Sequence, residues 1–178
     1  MVRMTLERNG TNNELNSLPS SVEPLFLAAG WSPGRRIAVP EQIPAHHPAC
    51  QVLAEFGGLN VGRTGLGEEC AASDIAFRQL VGDSSFVRFW SEQLHACLIG
   101  VAEVHNAHGE LYVDTIGRWF VLSLTNDSIC FTGSSFSEAM ERLLLGRLCR
   151  PMLRPDQDKV SIYGKIITAD DPRVYHYR

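Results

Sequence analysis

The sequence predicts an α+β domain, and three observations carry that prediction. Between positions 98 and 124 three strand-like runs, 98–104, 110–114 and 118–124, are separated only by short turns at 106–109 and 116–117. Such spacing fits an antiparallel meander. Amphipathic helices flank it on both sides, one carrying Phe86, Phe89, Trp90 and Leu94 behind Ser84-Ser85, the other Phe136, Ala139, Met140, Leu143 and Leu144. Both sets follow the i, i+3, i+4 period of a half-buried helix. Finally, 178 residues at 44% hydrophobic and 20% charged suit one well-buried core rather than a disordered chain.

The remaining elements follow in chain order. Residues 1–18 are rich in Asn, Thr and Ser without apolar period, a flexible leader. Ser20 and Glu23 have capping-box spacing ahead of Leu25, Phe26 and Ala29, and Gly30 supplies a helix stop. Pro24 is tolerated there because it falls in the first turn. The proline-rich stretch 31–48 reads as an irregular crossover. A second helix spans 49–56 and ends at Gly57-Gly58. A strand begins at 59–61, residues 62–72 form a glycine-bearing loop, and Ile75 and Phe77 alternate as in a short strand. A further strand covers 128–132. Ser135 and Glu138 form a capping box for the last helix, which Gly146 closes. Beyond Pro151 the period is lost, apart from one strand-like piece at 160–168. The expected organisation is thus a leader (1–18), a domain (19–150) and a C-terminal extension (151–178).

Charge narrows the function. The net charge is −4, and residues 19–150 alone carry 9 cations against 14 anions. That balance argues against gripping nucleic acid, which needs clustered cations to displace counterions. Fourteen of the 16 cations are arginine, the residue for rigid bidentate contacts, although genome composition also enriches it. Residues 1–10 lack the apolar run of a signal peptide, and the apolar stretch near 97–101 is far shorter than a membrane span. Five scattered cysteines without a CxxC pair read as reduced thiols, so the expected location is the cytoplasm.

No constellation makes a convincing active site. His46, His47 and Cys50 resemble half a zinc site, but no second ligand pair follows at a usual spacing. His108 and Glu110 give the H-x-E of zinc deaminases without the P-C-x-x-C that completes that metal site. Asp114 with Glu103 or Glu110 offers acid–base chemistry on a sheet, where alternation places such carboxylates toward solvent by default. Gly62, Gly65 and Gly67 lack the Gly-Lys-Ser/Thr ending of a phosphate loop.

An ordered set of motifs is more specific. Leu27-Ala28-Ala29-Gly30-Trp31-Ser32-Pro33-Gly34-Arg35 precedes Leu53-Ala54-Glu55-Phe56-Gly57-Gly58-Leu59. Then come Ile99-Gly100-Val101-Ala102-Glu103, Gly117-Arg118-Trp119-Phe120, Ser135-Phe136-Ser137-Glu138-Ala139 and Leu144-Leu145-Gly146. Over residues 25–148 this order resembles the third immunity family of the SUKH superfamily. It departs in having Leu98 where that family often has proline. The resemblance implies a central, mostly antiparallel sheet flanked by helices. It also implies a non-enzymatic, cofactor-free immunity protein that binds a cognate bacterial toxin, often a nuclease or deaminase. The motif residues themselves read as fold determinants, with Trp31 and Phe56 buried and Arg35 pairing a carboxylate or capping carbonyls.

The toxin-binding surface is then expected where acidity and loops coincide. Residues 62–83 carry Glu68, Glu69, Asp74 and Asp83 against Arg63 and Arg78 only. An acidic surface steers toward, and covers, the basic groove of a nucleic-acid-processing enzyme. Two other readings stand beside this one: a scaffold or regulatory protein-binding module of the same fold, and a small metal or thiol hydrolase built on His46, His47 and Cys50.

Overall fold

The computed structural model describes residues 18–81, 85–125, 128–162 and 164–177. Among them four helices, α1 (Glu23–Ala28), α2 (Pro48–Phe56), α3 (Ser85–Leu94) and α4 (Phe136–Leu144), accompany nine strands. Strands β1 (Asn60–Gly65), β2 (Ala72–Phe77), β3 (Leu98–Val104), β4 (Gly109–Asp114), β5 (Trp119–Ser123), β6 (Ser128–Gly133) and β7 (Arg150–Met152) form one antiparallel sheet in chain order. Strands β8 (Lys159–Ile162) and β9 (Lys165–Thr168) pair as a separate hairpin. The fold is the expected α+β arrangement, a central antiparallel sheet flanked by helices.

Strand alternation sends side chains to two separate cores. Leu111, Val113, Trp119 and Cys130 join one cluster with Phe26, Phe56, Phe136 and Met140 from α1, α2 and α4. Their neighbours Tyr112, Phe120, Leu122, Ile129 and Phe131 join a second cluster, closed by Trp90 and Leu94 of α3. A bulge between Gly100 and Ala102 interrupts the alternation in β3, and both Val101 and Ala102 face the first cluster. Leu80 packs onto Gly100, within 2.8 Å of where a Cβ would stand.

The helix ends obey the sequence more closely than the helix starts. At α1 and α4 a left-handed glycine follows the C-cap, Gly30 at φ 92° and Gly146 at φ 69°. In each, the next N–H reaches back to close a Schellman turn: Trp31 N to Phe26 O at 3.0 Å, and Arg147 N to Arg142 O at 2.8 Å. The Ser20–Glu23 capping box does not form. The α1 N-cap is Val22, without a side-chain cap, and Pro19 O takes the N–H groups of Val22 and Glu23. Val22 is fully buried, so its packing sets the helix entry in place of a serine hydroxyl. At α4, Ser135 Oγ accepts from Glu138 N as expected, but the Glu138 carboxylate turns to Ser134 N at 2.8 Å and Ser134 Oγ at 2.9 Å. Ser84, the expected cap of α3, and the 1–17 part of the leader lie outside the described residues.

Two stretches differ from expectation. The loop read at 62–72 is shorter, because β1 continues through Gly65 around a bulge between Gly62 and Gly65. The single strand read at 160–168 is a hairpin, turned near Gly164 with φ 70°. Beyond the helices and sheet, Tyr175 N bonds to Pro151 O at 2.8 Å, Tyr175 stacks 4.0 Å from Phe131, and Tyr177 packs edge-on against Trp90. Tyr175 and Tyr177 therefore close the second core alongside β7, while Val174 joins the first.

The motif residues lock α2 to the chain before it. Arg35 donates through Nη1 to Glu55 O at 2.6 Å and through Nη2 to Gly57 O at 2.8 Å. Leu53 O takes Gly57 N, Ala54 O takes Ile37 N, and Phe56 O takes Leu59 N, so the last carbonyls of α2 are all satisfied. Trp31 Nε1 donates to the buried Glu55 carboxylate at 3.3 Å, and its ring stacks on Phe56. Phe56 meets Phe26 at 5.2 Å, Phe77 at 5.5 Å and Phe136 at 4.8 Å. Phe56→Ala is therefore expected to destabilise the protein by about 3–5 kcal/mol. Urea unfolding measures it, and a loss under about 1 kcal/mol would contradict the central role of this ring.

Candidate functional site

The candidate surface is built on β1, β2 and the loop between them. That loop is held to the end of α4: Glu68 N donates to Leu145 O and Glu69 N to Gly146 O, each at 2.8 Å, and Cys70 N to Gly146 O at 2.9 Å. Gly67 and Gly146 meet backbone to backbone. A Cβ on Gly67 would lie 2.6 Å from Gly146 Cα, and one on Gly146 would lie 2.4 Å from Cys70 O. Side chains reinforce the contact. Arg147 Nε donates to Glu68 Oε2 at 2.7 Å, and Leu148 N donates to Glu69 Oε2 at 2.8 Å. The Arg147 guanidinium holds the Glu68 carboxyl below its ordinary pKa. Even so, 52% of the Glu68 side chain stays exposed, and Glu69 is exposed as well.

Asp74 lies on β2, beyond that loop, and has a structural task. Its Oδ1 accepts from Thr64 Oγ1 at 2.7 Å and from Asn106 N at 2.8 Å. It thus ties β1 to the β3–β4 turn. In that turn His105, Asn106 and Ala107 are all left-handed, with φ of 53°, 53° and 63°. Ser73 Oγ takes His105 N at 3.0 Å. Burial raises the Asp74 pKa, but the hydrogen bonds from Thr64 and Asn106 outweigh it and leave the carboxyl below its ordinary value. The structure thus brings Glu68, Glu69 and Asp74 onto one hairpin. Asp83 lies outside the described residues.

Sequence reasoning missed the apolar part of this surface. Leu66, at the tip of the β1–β2 loop, is fully exposed at 103%, and Val81, beyond the far end of β2, is exposed at 91%. These are the two most exposed large apolar side chains among the described residues. Leu66 borders a shallow groove lined by Leu25, Arg63, Thr64 and Leu144. The available signal was a lone leucine between Gly65 and Gly67 in a loop with no apolar period.

The other sequence candidates resolve into structural roles. His47 caps α2: its Nδ1 accepts from Ala49 N at 3.1 Å, which leaves Nε2–H to donate to Cys97 O at 3.1 Å. With both nitrogens occupied and the ring buried, it has no lone pair for a metal. Among the described residues no cluster of three or more His, Cys, Asp or Glu is arranged to hold one. Asp114 is buried at the opposite end of β4 from Glu110. It accepts from Arg118 Nε at 2.6 Å, and its other oxygen takes Arg118 N at 2.8 Å and Ile116 N at 3.0 Å. Glu103 and Glu110 face each other across β3 and β4, but Glu103 pairs with Arg78 and Glu110 accepts from Tyr112 OH at 2.7 Å. Burial and the Glu110 charge raise the Tyr112 pKa well above its ordinary value.

The family model described as SUKH-3 immunity protein matches residues 18–146. The chain belongs to the SUKH-3 immunity family. Neither the curated proteins nor the solved structures compared with it give a match. The SUKH-3 span takes in the whole candidate surface and ends at Gly146, the residue on which Gly67 packs. Strands β7 to β9 and the closing segment lie beyond it. Among the described residues no helix is long and apolar enough to cross a membrane.

The β3–β4 turn carries a pH dependence. Burial pushes the His105 pKa below its ordinary value; Asp74 pulls it up and His108 pushes it further down. The unfolded chain then binds that proton more tightly than the folded one. This contribution to stability is complete above about pH 6.5 and is lost as pH falls through the depressed folded value. His105→Asn keeps a residue that tolerates the left-handed conformation but does not titrate. Denaturant melts from about pH 7 to 5 should show a shallower loss of stability in this variant than in the wild type. Equal slopes would contradict the assignment.

Proposed function

We propose that this SUKH-3 protein is an immunity protein of a bacterial polymorphic toxin system that acts in the cytoplasm. It binds a cognate nuclease or deaminase toxin and occludes the active site, with no cofactor and no chemistry of its own. The family match over residues 18–146 carries the immunity reading. The target class and the occlusion mechanism rest on charge and exposure.

The proposed contact surface is the β1–β2 hairpin with Glu68, Glu69 and Asp74, anchored by Leu66; Asp83, further along the chain, is proposed as a fourth contact. A toxin that processes nucleic acid presents cations to its substrate's phosphates, and the acidic hairpin offers them a competing partner. Exposed ion pairs such as Glu68–Arg147 contribute little to folding, so Glu68 is able to trade Arg147 for a toxin cation. Leu66, wholly exposed beside these charges, supplies the apolar area that charge alone does not.

The test is affinity for the toxin domain encoded beside this gene. Glu68→Lys with Glu69→Lys is expected to weaken binding about tenfold or more, mainly through slower association at low salt. Leu66→Asp touches neither the ion pair nor the turn and should weaken binding by a similar factor. Each variant's melting temperature is checked first. Wild-type affinity in both folded variants would place the interface elsewhere.

A further inference from the structure

A second surface carries charge opposite to that of the acidic hairpin. Between β7, the β8–β9 hairpin and residues 172–173 lies a cleft of about 570 Å³. Its walls carry four cations, Arg142, Arg150, Lys165 and Arg173, against one carboxylate, Glu69, in a chain of net charge −4. Arg173 is neutralised by a two-point pair with Asp171, and Arg142 by Glu138. Arg150 is not: it donates to the carbonyls of Arg173 and Val174 and lies over the Tyr175 ring. The side chain of Lys165, exposed at the start of β9, forms no hydrogen bond or ion pair among the described residues. Two full positive charges therefore stand over an apolar floor that includes Ile162 and Ile167.

The neighbouring cavity supplies a second, independent observation. It has a volume of about 160 Å³ and shares Arg142, Cys149 and Ile162 with the cleft wall. Ser128 Oγ and Arg142 Nε both belong to residues lining it, and both are buried without a hydrogen-bond partner among the described residues. Ser128 is only 6% exposed. A buried polar atom left unpaired is costly, and two unpaired hydrogen-bond donors on the lining of one cavity suit a carboxylate.

We infer that this cleft, together with the cavity beside it, binds an acidic, partly apolar peptide segment of a protein partner, one carboxylate facing Lys165 and Arg150 of the cleft and another reaching the unpaired Ser128 Oγ and Arg142 Nε of the cavity. The volume accommodates roughly two or three side chains. A nucleic acid fits less well, because its affinity comes from a long track of cations along the phosphates, and this cleft is short, apolar-floored and set in an acidic chain. Most of the lining lies beyond residue 146, outside the family span. The cleft adjoins the acidic hairpin, which lends it Glu69, but Lys165→Glu leaves the hairpin unaltered and Leu66→Asp leaves the cleft lining unaltered, so either site can fail without the other.

The test uses the full chain, isotopically labelled, titrated with a blocked peptide of alternating Glu and Leu and, in parallel, with its Gln/Leu counterpart and a short oligothymidylate. The acidic peptide should bind with a dissociation constant below about 1 mM and shift amide signals around Arg150, Lys165 and Ile167. The Gln/Leu peptide should bind at least fivefold more weakly. Lys165→Glu, at an exposed position, should weaken the acidic peptide at least fivefold with the melting temperature unchanged. Ser128→Ala, which removes the buried hydroxyl without changing charge, should weaken it about threefold. Equal binding of the two peptides, signal shifts elsewhere, unchanged affinity in folded Lys165→Glu, or tighter binding of the oligonucleotide at these amides would each overturn the inference.

Discussion

The Phe56 ring is the contact on which the rest of the structure depends. It is fully buried and lies against Phe26 of α1, Phe77 of β2, Phe136 of α4 and the Trp31 ring. Four separate elements are thereby held in one orientation by close-packed aromatic surface, which tolerates little displacement. The polar half of the same joint comes from Arg35, whose guanidinium takes the carbonyls of Glu55 and Gly57 at the end of α2. With α4 fixed against β2 in this way, its C-terminal end comes to rest under the β1–β2 loop. Gly67 and Gly146 then touch, and Glu68 and Glu69 reach Arg147 and Leu148. The position of the acidic hairpin is thus a consequence of the aromatic joint.

How much of this was legible in the sequence depended on how local each signal is. Helix α4 was legible because its cap, its apolar stripe and its closing glycine fall within twelve consecutive residues. Strands β3, β4 and β5 were legible because short turns separate alternating runs. The role of Arg35 was legible as a choice between a carboxylate and carbonyls, and the structure selects carbonyls. Signals that compete with tertiary packing were misread: Ser20 is set aside because burying Val22 decides where α1 begins. Pairings between distant residues left no trace. Nothing near Glu68 announces Arg147, 79 positions away, and nothing near His47 announces the Cys97 carbonyl. The acidity of 62–83 was visible from composition, whereas the exposure of Leu66 depends on where the loop docks.

Charge on this protein is sorted, not averaged. The buried Asp114 pairs with the part-buried Arg118 and fastens the β4–β5 turn, with Arg118 Nη2 also reaching Leu94 O at the end of α3. Removing Arg118 would strand the buried Asp114 charge, so this pair belongs to the fold. The carboxylates of the β1–β2 loop are exposed and replaceable, which suits an interface. The cations of the C-terminal cleft are gathered on the far side of Glu69, over strands that follow the family span. Under the two proposals above, one chain offers an acidic hairpin to one kind of partner and a basic cleft to another.

The central functional claim is that the β1–β2 hairpin covers a cognate toxin. Hydrogen exchange of the full chain, alone and mixed with the toxin domain encoded beside it, tests this most directly. The account predicts slowed exchange of backbone amides from residues 62–74 in the complex, while amides in the first core stay as they were. Absence of protection anywhere, or protection confined to surfaces remote from this hairpin, would contradict it.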